Sequence, residues 1–382
     1  MSDPKYSALR GWLTAIPLSR EEAEALSRVP EDVVDAFCGE VSCDKLSMGL
    51  NSWYPEKKLK SWPGICPVGN TGYPRLAAHQ LMLADEVRMR TFADAIREVV
   101  TKGDVVVDVG TGTGILAFMA WRCGAKRVFA IEWEDIAQIA AMAVDKNLAS
   151  DVITVIQDDA RHVKIPQKAD VLVSECLGSG GVGTTQVNVV LESRQRFLKA
   201  HGMVVPKAVS VIVAPVESIL VELYLRFWSA SPGGIDYNDA SRWARDQMYT
   251  VVVRPEDLVA RAEEMFRLKY DTEDSYSGFS AKRTFIACRS GIVHGLGLWF
   301  RAHLTDGIVL DTSPGQTLTH WYHAFLPLQQ GIAIDAGEKL DIGVCHRYEC
   351  DQSVWNWTAS SNRRAILFEQ STWRTGMRGG RR

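Results

Sequence analysis

Val105-Val106-Val107-Asp108-Val109-Gly110-Thr111-Gly112-Thr113-Gly114 is the stretch on which the architecture of this chain turns. Its first five residues are apolar except for Asp108, which predicts a strand buried on both faces. The glycines that follow let the backbone turn tightly and come close to a ligand. Ile115 to Trp121 then reads as a helix. A dinucleotide loop needs GxGxxG, and here the third glycine comes one residue early, with Ile115 in its place. The loop also lacks the GK[ST] ending of a P-loop.

Working outward, the period keeps switching. Arg127 to Ile131 reads as a strand and Ile136 to Asn147 as a helix; Val152 to Ile156 and Asp170 to Ser174 read as strands, and Val187 to Leu198 as a helix. Upstream, one long helical pattern runs from about Pro74 to Val100. Apolar strands alternating with helices predict a parallel sheet covered on both faces, over 71–206. Beyond residue 207 the grammar changes. Val209 to Ile219 reads as a strand, and 284–304, 308–312, 319–328 and 339–348 alternate with turn residues and no helix between them, as in an antiparallel sheet or barrel over 207–370. The insertion at 222–268, with Trp228, Trp243 and Phe266, is more helical and too apolar for a free loop.

Residues 1–70 form an extension: Ser19-Arg20-Glu21-Glu22 is an N-cap with an acidic first turn, the helical pattern runs through Leu26, Val29 and Val33, and Pro30 interrupts it. The tail, 371–382, ends in Arg378-Gly379-Gly380-Arg381-Arg382 and has the composition of a disordered segment.

The 382 residues are 46% hydrophobic and 23% charged, with a formal net charge of −3, which excludes a globally basic nucleic-acid surface. No run of about 18 apolar residues is present, so a membrane span is not expected. Residues 1–20 contain no apolar signal core. The eight cysteines form no CxxC pair, which argues against a zinc module and for free thiols in a reducing compartment, cytoplasmic or nuclear. His320 and His323, three apart on a predicted strand, face opposite sides, and Cys345 and His346 diverge, so no metal site is expected.

The loop Asp108-x-Gly110-x-Gly112-x-Gly114, with Glu132 ending the next strand, resembles the nucleoside site of class I S-adenosylmethionine methyltransferases. Over about residues 73–350 the chain resembles the protein arginine methyltransferases. The matching segments are His79-Gln80-Leu81-Met82-Leu83-Ala84-Asp85-Glu86-Val87-Arg88, the loop at 107–116, Ile131-Glu132, Ser174-Glu175, Gly291 to Phe300, Leu310-Asp311-Thr312-Ser313-Pro314 and Thr319-His320-Trp321. The resemblance implies a Rossmann-type methyltransferase domain, an antiparallel β-barrel and, within 222–268, a helical dimerisation arm. It implies S-adenosyl-L-methionine held by Arg88, Asp108, Gly110, Gly112, Gly114 and Glu132, with Glu175 and His320 at the catalytic centre. It further implies arginine-containing protein substrates and a homo- or hetero-dimer or tetramer with a paralogous chain.

The departures from the family pattern are as informative. Methyl transfer to an arginine requires a protonated guanidinium to be gripped and aimed. In the family two carboxylates do this, the second nine positions after the first; counting nine from Glu175 lands on Thr184. The aromatics of that loop are replaced by Gly and Ser. Of the aromatic positions of the lid helix only Tyr73 remains, with Gly69 and Asn70 at the others. The acidic partner of the triplet histidine falls at Thr71, and the adenine-binding carboxylate at Arg161. These losses point to a catalytically impaired partner subunit (a prozyme, as in kinetoplastid-type hetero-oligomers) with weak or lost cofactor binding. Two alternatives are an active arginine methyltransferase with an atypical clamp and an RNA-binding module that uses the Arg/Gly tail.

Overall fold

The computed structural model describes residues 19–29, 66–67, 76–184, 186–231, 234–349, 352–361 and 366–372. The expectations placed on Pro30, on Gly69, Asn70, Thr71 and Tyr73, and on residues 374–382 lie outside the described residues.

The first unit is a five-stranded parallel sheet in the order β4-β3-β2-β5-β6. Its strands are β2 (Val105–Val109), β3 (Arg127–Glu132), β4 (Ile153–Gln157), β5 (Ala169–Val173) and β6 (Leu198–Val205). Every residue of β2 is buried, as expected of a central parallel strand with helices on both faces. Helices α4 (Ile115–Arg122), α5 (Ala137–Lys146) and α6 (Gln186–Phe197) connect the strands. Strand β6 has no apolar run at its start, since Lys199, His201 and Gly202 interrupt it.

The single helix expected over 74–100 is two helices, α2 (Leu76–Ala84) and α3 (Glu86–Val99). Asp85 separates them: its backbone is extended and its carboxylate accepts the Arg88 N–H at 2.9 Å, an N-cap in place of a helical residue.

The second unit contains two antiparallel sheets. One runs β1-β8-β13-β11-β7-β9 with β12 on β11; the other runs β10-β14-β15-β16. The strands are β1 (Cys66–Pro67), β7 (Ala208–Val216), β8 (Tyr249–Val251), β9 (Glu263–Lys269), β10 (Gly278–Ile286), β11 (Gly291–His303), β12 (Val309–Asp311), β13 (His323–Ile334), β14 (Lys339–Glu349), β15 (Gln352–Ser361) and β16 (Ile366–Ser371). Trp357, Trp355, Phe300 and Trp321 fill the core that both sheets share with the first unit. The architecture is the Rossmann-like sheet plus antiparallel β domain expected from the sequence.

The insertion differs from its expected form. Strand β7 stops at Val216, and Ser218 caps helix α7 (Ile219–Arg226); a short apolar run cannot by periodicity alone be told from a strand. The last α-helix of 222–268 is α8 (Asn238–Arg245); a single 3-10 turn follows at Pro255–Asp257, and β8 and β9 are strands of the larger sheet. Helix α1 (Arg20–Ser27) packs on α7 at the root of this arm. Among the described residues no helix is long and apolar enough to cross a membrane.

Candidate active site

The glycine loop leaves β2 at the carboxyl edge of the parallel sheet, where ligands of such sheets bind. Gly110, Gly112 and Gly114 all have positive φ, at 74°, 56° and 87°. A Cβ on Gly110 would lie 2.9 Å from Cys176 Sγ, and one on Gly112 3.0 Å from His79 Cε1, so a side chain at either position would be crowded as well as strained. Glu132 closes β3 beside it, buried, and accepts the Gly112 N–H at 2.9 Å and the Glu134 N–H at 3.0 Å. Asp108 is fully buried; its Oδ2 accepts from Thr111 Oγ1 and Ala117 N, while Oδ1 has no hydrogen-bond partner among the described residues. Burial pushes its carboxyl up to about 7 despite those two bonds. A preformed cradle, a buried strand-end carboxylate and an unpaired buried oxygen fit a neutral nucleoside cofactor better than a phosphate.

Arg88, expected at the cofactor's carboxylate, is buried on α3. Its Nε donates to Glu175 Oε2 at 2.7 Å and its Nη1 to the Met82 carbonyl at 3.2 Å. Glu175, just past β5, accepts the Leu177 N–H on its other oxygen. The structure therefore joins the arginine expected at the cofactor and the carboxylate expected at the catalytic centre in one buried ion pair.

His320 lies before β13, in a turn where Tyr322 has φ 52°, and not on a strand as the spacing suggested. Its Nδ1 lies 2.8 Å from Asp85 Oδ2, and its backbone N–H donates to the same oxygen at 2.9 Å. This corrects the sequence reading, which placed the histidine's acidic partner at Thr71: the partner is Asp85, and it is present. Burial alone would raise the Asp85 carboxyl, but the hydrogen bonds from His320 and Arg88 outweigh it and hold it below its usual range. In the sequence Asp85-Glu86 marks only a helix start, an N-cap followed by an acidic first turn, and does not point to His320. His323 is engaged elsewhere, accepting from Val253 N and bonded to the Thr312 carbonyl. Among the described residues no His, Cys, Asp and Glu side chains gather as a metal site.

The clamp loop follows Glu175. Thr184 lies nine positions after Glu175; its Oγ1 donates to the Cys176 carbonyl at 2.8 Å, and its own carbonyl accepts the Tyr348 hydroxyl. Two neighbouring glycines explain why the loop carries so few side chains. Gly181, at φ 81°, has room for no Cβ, since one would sit 2.6 Å from Phe300 Cβ. Gly183, at φ 112°, abuts Trp355 and Ser353. The loop thus lies flat on the aromatic wall of the β domain. Trp321 adds a bond from its Nε1 to the Leu177 carbonyl at 2.9 Å. Tyr348 and Trp355, which seat this loop, were not singled out from sequence for that role, because the contact spans more than 160 positions.

The methyltransferase fold of this site is matched by comparison with known proteins. A model of the ribosomal protein L11 methyltransferase family matches residues 92–206, and one of the PRMT5 oligomerisation domain matches residues 211–374. Protein arginine N-methyltransferase 6 of Danio rerio is 30% identical over 287 residues, covering 70% of this chain and 81% of that protein. The chain belongs to the protein arginine N-methyltransferase family. The Xenopus tropicalis protein of the same name is 28% identical over 281 residues, covering 70% of this chain and 83% of its own length. Among solved structures, a Trypanosoma brucei PRMT1 enzyme–prozyme heterotetrameric complex with AdoHcy superposes with a TM-score of 0.73 at 24% identity, covering 78% of this chain and 98% of its own. Arabidopsis thaliana protein arginine methyltransferase 10 gives 0.69 at 21% identity, over 78% and 98%.

For an arginine methyltransferase the residues present fall into two groups. Those that would hold S-adenosylmethionine (Gly110, Gly112, Gly114, Glu132, Arg88) stand together at the sheet edge. That cofactor, when bound, supplies an electrophilic methyl group. The others, expected at the catalytic centre, are Glu175, paired with Arg88, and His320, paired with Asp85.

Proposed function

We propose that this chain is a catalytically impaired subunit of a hetero-oligomeric arginine methyltransferase, whose task is to assemble with and activate a catalytic relative. The observation that carries the reading is Thr184. A neutral hydroxyl, bonded back onto its own loop, stands where the family grips the substrate with a second carboxylate. One lost charge-assisted bond is worth about 1.5–3 kcal/mol, or roughly 10- to 150-fold in rate. Loss of the loop's aromatics as well removes groups that act as a unit with it, and such losses do not add simply. The likeness in fold to an enzyme–prozyme complex is consistent with this assignment.

The arm supports the same reading. Trp228, Ile235, Tyr237 and Trp243 are exposed on it, and Phe227, Trp228 and Tyr237 form an edge-to-face series. Such a concentration of apolar side chains around α7 and α8 suits a subunit contact.

The test is co-expression with a catalytic arginine methyltransferase paralogue. Trp228→Ser combined with Trp243→Ser should abolish assembly and the paralogue's activity. Glu175→Gln in this chain should leave the activity of the complex largely intact. Equal loss from both would overturn the proposal.

A second reading, an active enzyme with an atypical clamp, is favoured by one observation: the Asp85–His320 pair is intact. On that reading the isolated chain turns over, and Glu175→Gln stops it.

A further inference from the structure

Helix α8 presents the exposed Trp243 and is only eight residues long. A helix that short is not stable alone in water, so its surroundings must hold it. At its start the ties are local: Tyr237 gives no side-chain cap, and the Asn238 N–H goes to the Asp236 carboxylate of the arm itself. Its end is tied to the rest of the chain. The last four carbonyls of a helix have no partner within it. Here the Trp243 carbonyl takes the Asp246 N–H at 3.1 Å, and the other three take side chains from three separate strands. Gln329 Nε2 on β13 donates to the Arg242 carbonyl at 3.4 Å, the Tyr249 hydroxyl on β8 to that of Ala244 at 2.7 Å, and Gln370 Nε2 on β16 to that of Arg245 at 2.7 Å.

Gln370 comes from farthest along the chain, 125 positions from Arg245, and is almost fully buried. Its backbone pairs with Trp357 in the smaller sheet. Its oxygen accepts the Gln329 N–H of the larger sheet at 3.0 Å, and its nitrogen also reaches Asp246 Oδ1 at 3.4 Å. Gln329 Nε2 donates to the same Asp246 oxygen at 3.2 Å. One buried amide thus joins the end of the arm helix to both sheets.

We infer that Gln370 is the positioning residue of the arm: it fixes the direction of α8, and with it the place of Trp243, so that subunit assembly depends on the last strand of the chain. The inference rests on the reading of the arm as the subunit contact. Being buried, Gln370 offers a partner no surface and acts only through α8. An arm released from it spends part of its time in other directions. The apparent affinity then falls with the competent fraction, while the complex, once formed, is unchanged.

The experiment titrates the full chain against a catalytic arginine methyltransferase paralogue. It compares the native protein, Gln370→Met, Gln329→Ala and, as a control, Ile342→Val, which trims a buried side chain of β14, two strands from β16. Three quantities are read: the dissociation constant, the paralogue's activity at saturation, and amide hydrogen exchange over 238–246. Gln370→Met should weaken binding about tenfold, since the bonds to Arg245, Asp246 and Gln329 are lost together. Exchange over 238–246 should quicken, and activity at saturation should match the native complex. Gln329→Ala, which removes a partly exposed side chain, should weaken binding about threefold. Ile342→Val should change neither affinity nor exchange over 238–246. Unchanged affinity in Gln370→Met overturns the inference, as does equal weakening by Ile342→Val, which would mark a general loss of stability. Activity that stays low at saturation also overturns it, because the contact itself would then be lost. Should Gln370→Met fail to fold, Gln329→Ala decides, and native affinity in that variant overturns the inference. No binding by the native chain overturns the reading of the arm as well.

Discussion

Glu222→Ala should be among the most destabilising single substitutions in the arm. Glu222 on α7 is 7% exposed at its side chain, and Arg245 on α8 8%. Arg245 reaches both carboxylate oxygens, each at 2.8 Å, and also the Leu328 carbonyl at 3.1 Å; Arg226 adds a bond at 2.9 Å. Truncating the acid leaves a buried guanidinium unpaired, which costs about 3–5 kcal/mol. Proton linkage gives an independent figure. Burial by itself would raise the Glu222 carboxyl, but the Arg245 bonds and charge outweigh it and bring it from 4.5 down to about 2. At about 1.36 kcal/mol per decade of proton affinity, that is roughly 3 kcal/mol. Because the folded value is depressed, this stability is present above pH 4.5 and disappears as pH falls from there toward 2. Urea denaturation at pH 7 and at pH 3 reads both effects. Glu222→Ala should lose about 3 kcal/mol or more at pH 7 and less at pH 3. The paired replacement Glu222→Leu with Arg245→Met should recover much of the loss, since the one charge then left without Glu222, Arg226, is 24% exposed at its side chain and the buried guanidinium is gone. A cost below about 1 kcal/mol, or a double variant as unstable as the single one, would refute the reasoning.

Thr184→Glu should leave arginine-peptide methylation by the isolated chain at background, because it restores one carboxylate but none of the aromatics that the glycine-bearing loop lacks, and groups that act as a unit are not recovered one at a time; substantial rescue in a peptide assay would count against this. Gly181→Ala should lower stability by about 1–3 kcal/mol in urea denaturation, since it adds a Cβ at positive φ and 2.6 Å from Phe300 Cβ. Asp108→Asn should gain stability over the native chain as pH rises. Burial raises the Asp108 carboxyl from 3.8 to about 7, so the native chain's contribution is complete below pH 3.8 and is lost as pH climbs through 7. Denaturation at pH 5 and pH 8 should show the gap widening by a few kcal/mol, and a constant gap would contradict it.

The parallel half was legible because its signals are local. Val105 to Gly114 names a strand, a turn and a helix start without reference to the rest of the chain, and Glu132 follows from strand length. Thr184 was legible by counting from Glu175. What failed was what depends on distant partners. Nothing near Asp85 says that His320, 235 positions away, donates to it. The break between α2 and α3 was available as an N-cap, but the apolar period runs through it. Tyr249–Val251 and Glu263–Lys269 became strands only because β13 and β7 offered them edges. The glycines of the clamp loop read as erosion in the sequence; in three dimensions Gly181 and Gly183 are the positions that let the loop lie against Phe300 and Trp355.

The central claim concerns chemistry, and it is tested most directly by methyl transfer from labelled S-adenosylmethionine to arginine-rich peptides by this chain alone. The account expects incorporation at background for the native protein, indistinguishable from Glu175→Gln. Robust incorporation that Glu175→Gln abolishes would show that the chain is a catalyst in its own right and contradict the assignment.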